Sequence, residues 1–252
     1  MRSTIFAAVI LATGCGRIGF DPVSSGGDDV DGQTVGEGGL VAWWKLDETS
    51  GTSVADANGN LTGTYVGGAP TWTTGKIGGA LELVGNGDHV ALGQPALLAN
   101  LPPVTVTAWI DPIAFVDDGV ARCIFDKASP VAGWAFLIDS NGLGSIGFAG
   151  YFESGDRSER DSHPGRLTAG QWTHVAGTWD GGSSSGGVHI YVDGAEITYM
   201  IAKGGLPTRP DDSAIPASIN CSAGPGMAGL IDDVRVFDRV LTEAEIAAIF
   251  AS

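Results

Sequence analysis

Gly229-Leu230-Ile231-Asp232-Asp233-Val234-Arg235-Val236-Phe237-Asp238-Arg239-Val240-Leu241 decides how the chain is read. A strand sends alternate side chains to opposite faces. Unbroken pleating would put Leu230, Asp232, Val234 and Val236 on one side and Ile231, Asp233, Arg235 and Phe237 on the other. That grouping sets the Asp232 carboxylate among aliphatics. An ionised group carried into an apolar layer loses hydration worth several kcal/mol, so it must lie at the rim, meet a cation or change its pKa.

Similar strand-like runs recur through the chain, among them VAWWKL, ALELV, VTVTAWI, WAFLID, WTHVAGTWD and VHIYVDG, mostly divided by Gly, Pro, Asn or Asp. Val104, Val106, Ala108 and Ile110 alternate with Thr105, Thr107 and Trp109; Val188, Ile190 and Val192 alternate with His189, Tyr191 and Asp193. Each such strand has one apolar face. With 40 Gly and only 17% charged residues, the composition is that of an all-β chain with many turns. One helix is expected, at the end. Thr242 and Glu245 have capping-box spacing, and Ile246, Ile249 and Phe250 fall on one stripe that would pack on a sandwich edge or close one end.

The start, MRSTIFAAVILATGCG, has a positive residue, an apolar run too short to span a bilayer and small residues leading to Cys15. It reads as an export signal over residues 1–14. Ala12-Thr13-Gly14-Cys15 resembles a bacterial lipobox, with Leu11 one position upstream of the preferred place; the alternative is an ordinary signal peptide. Residues 15–38, rich in Gly, Ser and Asp, read as a lipidated Cys15 and a flexible acidic tether. The expected location is a bacterial cell envelope, with the membrane touched only through the N-terminal lipid. If Cys15 carries lipid, Cys123 and Cys221 remain as an even pair, which either bridge or stay as two buried thiols.

Formal net charge is −16, from 13 Lys and Arg against 29 Asp and Glu, with no basic cluster. Nucleic acid and anionic membrane surfaces are therefore excluded as partners on charge, whereas cations such as Ca²⁺ are favoured.

Several segments resemble, in order, the LamG-like jelly rolls of the concanavalin A-like lectin/glucanase superfamily. Gly39-Leu40-Val41-Ala42-Trp43-Trp44-Lys45-Leu46-Asp47-Glu48 is similar to the opening strand, and Asp56-Ala57-Asn58-Gly59-Asn60 to a loop that follows it. Asp88-His89-Val90, Gln171-Trp172-Thr173-His174-Val175-Ala176, Tyr191-Val192-Asp193-Gly194 and the segment from Gly229 to Leu241 resemble later strands. The resemblance implies a two-sheet antiparallel jelly-roll sandwich over residues 39–252, often calcium-bearing, in proteins that recognise glycans or extracellular proteins. It implies no catalysis by itself.

Asp56, Asn58 and Asn60 place oxygens at alternate positions, and with Asp232 they form the expected Ca²⁺ site, Asp47 and Asp88 standing in reserve. The alternative keeps Asp232 at the rim accepting backbone N–H groups, with the Asn residues as turn formers. Ligand candidates lie where the chain departs from the family pattern, in the polar segment from Tyr151 to Arg166, with Tyr151, Arg157, Arg160 and His163, and in the loop from Lys203 to Asp212. Trp43, Trp72, Trp109, Trp134, Trp172 and Trp179 are read as mostly core rather than as sugar platforms. Gly182-Ser183-Ser184-Ser185-Gly186 fits a nucleophile elbow only formally, since no helix follows. No triplet of the glucanase kind, spaced Glu-x-Asp-x-Glu, occurs; Glu153 and Glu159 flank Asp156, but in a Gly/Ser/Arg-rich loop. The expectation is a noncatalytic envelope module that binds glycan or protein; the alternatives are a glucanase-type hydrolase and a structural lipoprotein with no small ligand.

Overall fold

The computed structural model describes residues 38–252. The signal, Cys15 and all of the tether but Gly38 lie outside the described residues.

Seventeen strands run along the described residues. The first eight are β1 (Leu40–Trp44), β2 (Ser53–Val54), β3 (Gly63–Val66), β4 (Thr71–Thr74), β5 (Gly79–Val84), β6 (His89–Gly93), β7 (Val104–Pro112) and β8 (Arg122–Ser129). Then come β9 (Ala132–Ile138), β10 (Ile146–Tyr151), β11 (Arg157–Ser162), β12 (Thr173–Trp179), β13 (Val188–Val192), β14 (Ala195–Glu196), β15 (Tyr199–Lys203), β16 (Ala217–Ile219) and β17 (Ala228–Phe237). They form two antiparallel sheets: β14-β13-β12-β7-β17-β5-β4 with β1 also on β17, and β15-β11-β10-β9-β8-β16-β6-β3-β2. This is the jelly-roll sandwich.

Between the sheets lies one apolar layer. Val104, Val106, Ala108 and Ile110 of β7, Val188 and Ile190 of β13, and Trp134, Phe136 and Phe148 from the other sheet are fully buried there. The alternating residues of β7 do not face water: Thr105, Thr107 and Trp109 are buried too. The reason is helix α1 (Glu243–Phe250), which lies over this outer face and reaches the edge strand β14, with Ile246 and Ile249 packed on Ala176, Tyr191 and Phe237. Its capping box is formed, Thr242 accepting from the Glu245 N–H while the Glu245 carboxylate accepts from the Thr242 N–H. Arg239 donates to both oxygens of the same carboxylate, which together with burial-opposing contacts holds Glu245 down at about 2.

β17 corrects the pleating expected of it. Asp232 pairs with Trp109 and Arg235 with Thr107, so three steps on β17 face two on β7: one extra residue makes a bulge. Asp233 sits at φ 51°, a left-handed position that Asp tolerates better than most residues. The bulge switches faces. Ile231 points into the core before it, Val234 and Val236 after it. Asp232 therefore does not share a face with those valines. It shares the outer face with its register partner Trp109, and the loop after β4 covers it, the Ile77 N–H donating to Oδ2 at 2.8 Å. A Cβ on Gly75 would lie 2.6 Å from that oxygen, so glycine permits the loop's approach. Oδ1 has no partner among the described residues, and burial is the main reason the carboxyl is pushed up to about 7.

Cys123 and Cys221 form a disulfide that ties β8 to the segment just after its neighbour β16.

Candidate functional site

β11 belongs to the segment expected to be a polar loop. No apolar alternation marks it, because both its faces are polar: Ser158, Arg160 and Ser162 on one, Arg157, Glu159 and Asp161 on the other. The second set points away from the core. Register sets Asp161 against Gly147, Glu159 against Ala149 and Arg157 against Tyr151 on β10, while Leu137 and Ala135 of β9 face Gly147 and Ala149 in turn. Small residues thus floor a trough whose walls carry functional groups. With the loop at Gly119 to Ala121 and Asp139, they enclose a cleft of about 350 Å³.

Within the cleft, Arg157 pairs through Nε with Glu159 Oε2, and Glu159 is only 6% exposed. Asp161 makes no hydrogen bond among the described residues, and its carboxyl is pushed up to about 7 by burial first, then by the negative charges of Glu159 and Asp139, against the pull of Arg157. Burial raises Tyr151 as well, with Asp126, Glu159 and Asp161 adding to the shift and Arg157 opposing it. On the same outer face, Asp126 of β8 is pushed up to about 6, again by burial, against the Ala128 N–H and His89. The cleft thus combines carboxylate acceptors, a guanidinium donor, a phenol and a flat small-residue floor. Those groups suit a ligand rich in hydroxyls.

Of the four expected ligand residues, Tyr151 and Arg157 line this cleft. Arg160 does not: it leaves the other face of β11, its guanidinium 4.3 Å from the Tyr199 ring and 3.7 Å from Glu196. His163 is exposed in the turn after β11. Sequence reasoning missed Glu159 and Asp161. A search for two acids two residues apart, rather than for a full triplet, finds Glu159-Arg160-Asp161, with His163 where a third acid would stand.

The loop from Lys203 to Asp212 is pinned to the body at its far end. Asp212 is fully buried, 3.1 Å from Lys127 Nζ, and accepts from the Asn100 N–H at 2.6 Å. Trp109, Trp134 and Trp179 are core as expected, whereas Trp43, Trp72 and Trp172 are half-buried.

The expected calcium ligands do not come together as one set. Both Asp56 oxygens are committed, Oδ1 to the N–H groups of Trp43 and Asn58 and Oδ2 to those of Asn60 and Leu61, at 2.8 to 3.1 Å. The Asn58 amide donates toward the Leu40 carbonyl, and Asp232 is held by the loop at Ile77. Among the described residues no three His, Cys, Asp or Glu side chains cluster as a metal site requires. The residues present therefore do not fit a calcium ion bridging the early turn and the last strand, and the reason is that backbone donors occupy Asp56.

The profile of the Laminin_G_3 family, described as Concanavalin A-like lectin/glucanases superfamily, matches residues 84–247. No protein with a curated description matches the chain. Among solved structures, domain 4 of AbnA, a GH43 extracellular arabinanase from Geobacillus stearothermophilus, in complex with arabinotriose, is similar at 23% identity and TM-score 0.58, covering 84% of this chain and 98% of that one. The binding domain of botulinum neurotoxin DC, in complex with rat synaptotagmin II, is similar at 16% identity and TM-score 0.63, over 86% of this chain and 52% of that one. A Trypanosoma rangeli sialidase in complex with the inhibitor DANA is similar at 14% identity and TM-score 0.60, over 88% of this chain and 34% of that one. The chain thus spans about half of the neurotoxin domain and a third of the sialidase. At these identities the likeness is one of fold.

Proposed function

The chain belongs to the concanavalin A-like lectin/glucanases superfamily, and on that premise we propose that it is a noncatalytic binding module whose ligand occupies the cleft of Tyr151, Arg157, Glu159 and Asp161. One observation carries the reading: a cleft on a rigid sheet face gathers unspent acceptors, a donor and an aromatic ring above a floor of Gly and Ala. Rigid strands hold such groups better than loops do. A hydroxyl of a glycan can donate to Asp161 and accept from Arg157, and its ring can lie on the flat floor. The arabinanase domain that binds arabinotriose has a similar fold, which supports glycan as the ligand class over an extracellular protein. On its N-terminal sequence the module is placed on a bacterial cell envelope, tethered by lipid on Cys15.

The test is binding of the mature protein to a panel of oligosaccharides, compared with Tyr151→Ala and Asp161→Asn. Loss of saturable binding of at least one oligosaccharide in both variants, at unchanged melting temperature, supports the site. Binding of the whole panel that survives both variants overturns it.

A second reading has a specific observation in its favour. Glu159 and Asp161 lie on one face of one strand two residues apart, about 6.6 Å along the chain. That backbone spacing lets both carboxyls address one ligand, as an acid and its partner carboxylate at a glycosidic bond must. Asp161, protonated to about pH 7, is suited to the acid role. Release of reducing ends from polysaccharide, abolished by Glu159→Gln, would make the cleft an active site.

A further inference from the structure

A second cleft, of about 290 Å³, opens on the outer face of the other sheet, where β1, the loop after β4 and β17 meet beside Ser252. One wall is the half-buried Trp43. Its indole has the Arg235 guanidinium at 4.4 Å from the ring centroid and the Lys45 ammonium at 4.4 Å. Its Nε1 donates to Oδ1 of Asp233, which the bulge turns into this cleft. Asp233 is 3% exposed, and its Oδ2, though 3.0 Å from Arg235 Nη2, makes no hydrogen bond. Asp47 spends Oδ1 on the Gly79 N–H. Lys45 makes no hydrogen bond among the described residues.

The lining decides the ligand class. Among the side chains of the lining, Lys45 and Arg235 oppose Asp47 and Asp233, two against two. An anion would face the carboxylates and a cation the guanidinium and ammonium. A neutral molecule meets unspent donors and unspent acceptors at once, which is what paired hydroxyls need, since each hydroxyl donates once and accepts as well. The indole supplies a flat apolar surface once the exposed Lys45 swings aside. The volume is at the small end of ligand clefts, near 300 Å³. We propose that this cleft is a second binding site, separate from that of Tyr151 and Asp161, and that it takes one neutral polyhydroxylated ring of the pyranose type against Trp43, with Asp47 and Arg235 on its hydroxyls and Asp233 holding Trp43 and Arg235 in place.

The two sites lie on different sheets, so the chain can hold two glycan segments or two ends of one, with a gain from effective concentration.

Calorimetric titration of the mature protein with the neutral trisaccharides cellotriose, maltotriose and arabinotriose, the acidic trigalacturonate and the cationic chitosan trimer tests this. Ile77 lines the cleft and is 38% exposed, so Ile77→Trp fills the site from its solvent side. Because the first cleft also takes glycan in the reading above, the test is made in Tyr151→Ala: at least one neutral trimer is expected to bind that variant saturably, and roughly tenfold more weakly once Ile77→Trp is added, at unchanged melting temperature. Lys45→Glu, a change at an exposed residue, is expected to turn preference toward the chitosan trimer. Saturable binding of no neutral trimer to Tyr151→Ala, stronger binding of a charged trimer by that variant, or neutral binding that the added Ile77→Trp leaves intact would each overturn the proposal. Neutral binding lost in Tyr151→Ala but kept in Ile77→Trp overturns this site while leaving the first one standing.

Discussion

Asp161 leans across the backbone of Gly147: a Cβ built on that glycine would fall 2.1 Å from Asp161 Oδ1. The two are register partners on β11 and β10. The missing side chain at 147 is what lets the carboxylate lie down on the cleft floor. Gly147→Ala moves only the end of a side chain, so the fold is expected to survive with its melting temperature changed by a few degrees at most. Binding in the cleft is expected to weaken about tenfold, because the displaced carboxylate no longer meets the ligand where Arg157 holds it. Titration with an oligosaccharide that binds the native cleft checks both halves.

The pH dependence of stability sets His174 against buried carboxyls that act with the opposite sign. His174 is buried between Trp109 and Phe250, with neither ring nitrogen partnered, and burial, helped by Arg235, pushes it down to about 3. The unfolded chain, near 6.5, binds that proton more readily, so the neutral ring's contribution is complete above pH 6.5 and is lost as pH falls toward 3. Asp161, pushed up to about 7, acts the other way: its contribution is complete below pH 4 and is lost as pH rises through 7. Asp161 is only half-buried and so counts for less. Asp232 and Asp126, pushed up to about 7 and about 6, act as Asp161 does and offset the loss at His174. His174→Phe, which keeps an aromatic ring between its neighbours, removes the opposing contribution, so its stability at pH 4 relative to pH 8 should exceed that of the native chain, by on the order of 3 kcal/mol. Urea unfolding of both chains from pH 4 to pH 8 reads the difference; parallel pH profiles would place the acid sensitivity elsewhere.

Much of the architecture was open to reading from residue order because it rests on local rules. The β7 and β13 alternations gave their core faces, and Thr242 with Glu245 gave the helix start. The bulge at Asp232-Asp233 was hidden, since nothing local distinguishes two aspartates in a regular strand from two that let the chain gain a residue. β11 was hidden for another reason: near the sheet edge it carries polar side chains on both faces, so the period of two appears only as alternating charge. Tyr151 and Arg157 could be singled out as departures from a family pattern. Asp161 becomes notable only when Gly147 is known to be opposite. Trp43, Trp72 and Trp172 were assigned to the core because size favours burial, yet each sits where a sheet face or edge meets solvent.

The disulfide closes a loop spanning 98 residues between neighbouring strands, with Cys123 and Cys221 both buried. Chain entropy puts its contribution at up to about 4.5 kcal/mol, and measured bridges often give less. Replacing both cysteines by alanine is expected to lower the melting temperature by roughly 5–15 °C while leaving the cleft across β9 to β11 intact. Reductant should shift the native protein the same way and the variant not at all. Scanning calorimetry with and without dithiothreitol gives both numbers.

Asp56 is the residue on which the calcium expectation and the geometry part company, and its substitution separates them. Its two oxygens accept four backbone N–H groups, from Trp43, Asn58, Asn60 and Leu61, which fastens the turn before β3 to β1. A carboxylate so occupied has little left to offer an ion, but its removal strips four donors of their acceptor at once. Asp56→Ala is therefore expected to cost roughly 3 kcal/mol, since hydrogen bonds to a charged acceptor are worth more than neutral ones and are not additive around one centre. Asp56→Asn should cost about half, keeping one carbonyl oxygen. Both losses are expected to be equal with and without EDTA, and the native melting temperature should not respond to the chelator. A native transition that falls in EDTA, with Asp56→Ala insensitive to it, would return the carboxylate to a metal and remove the backbone account of this turn.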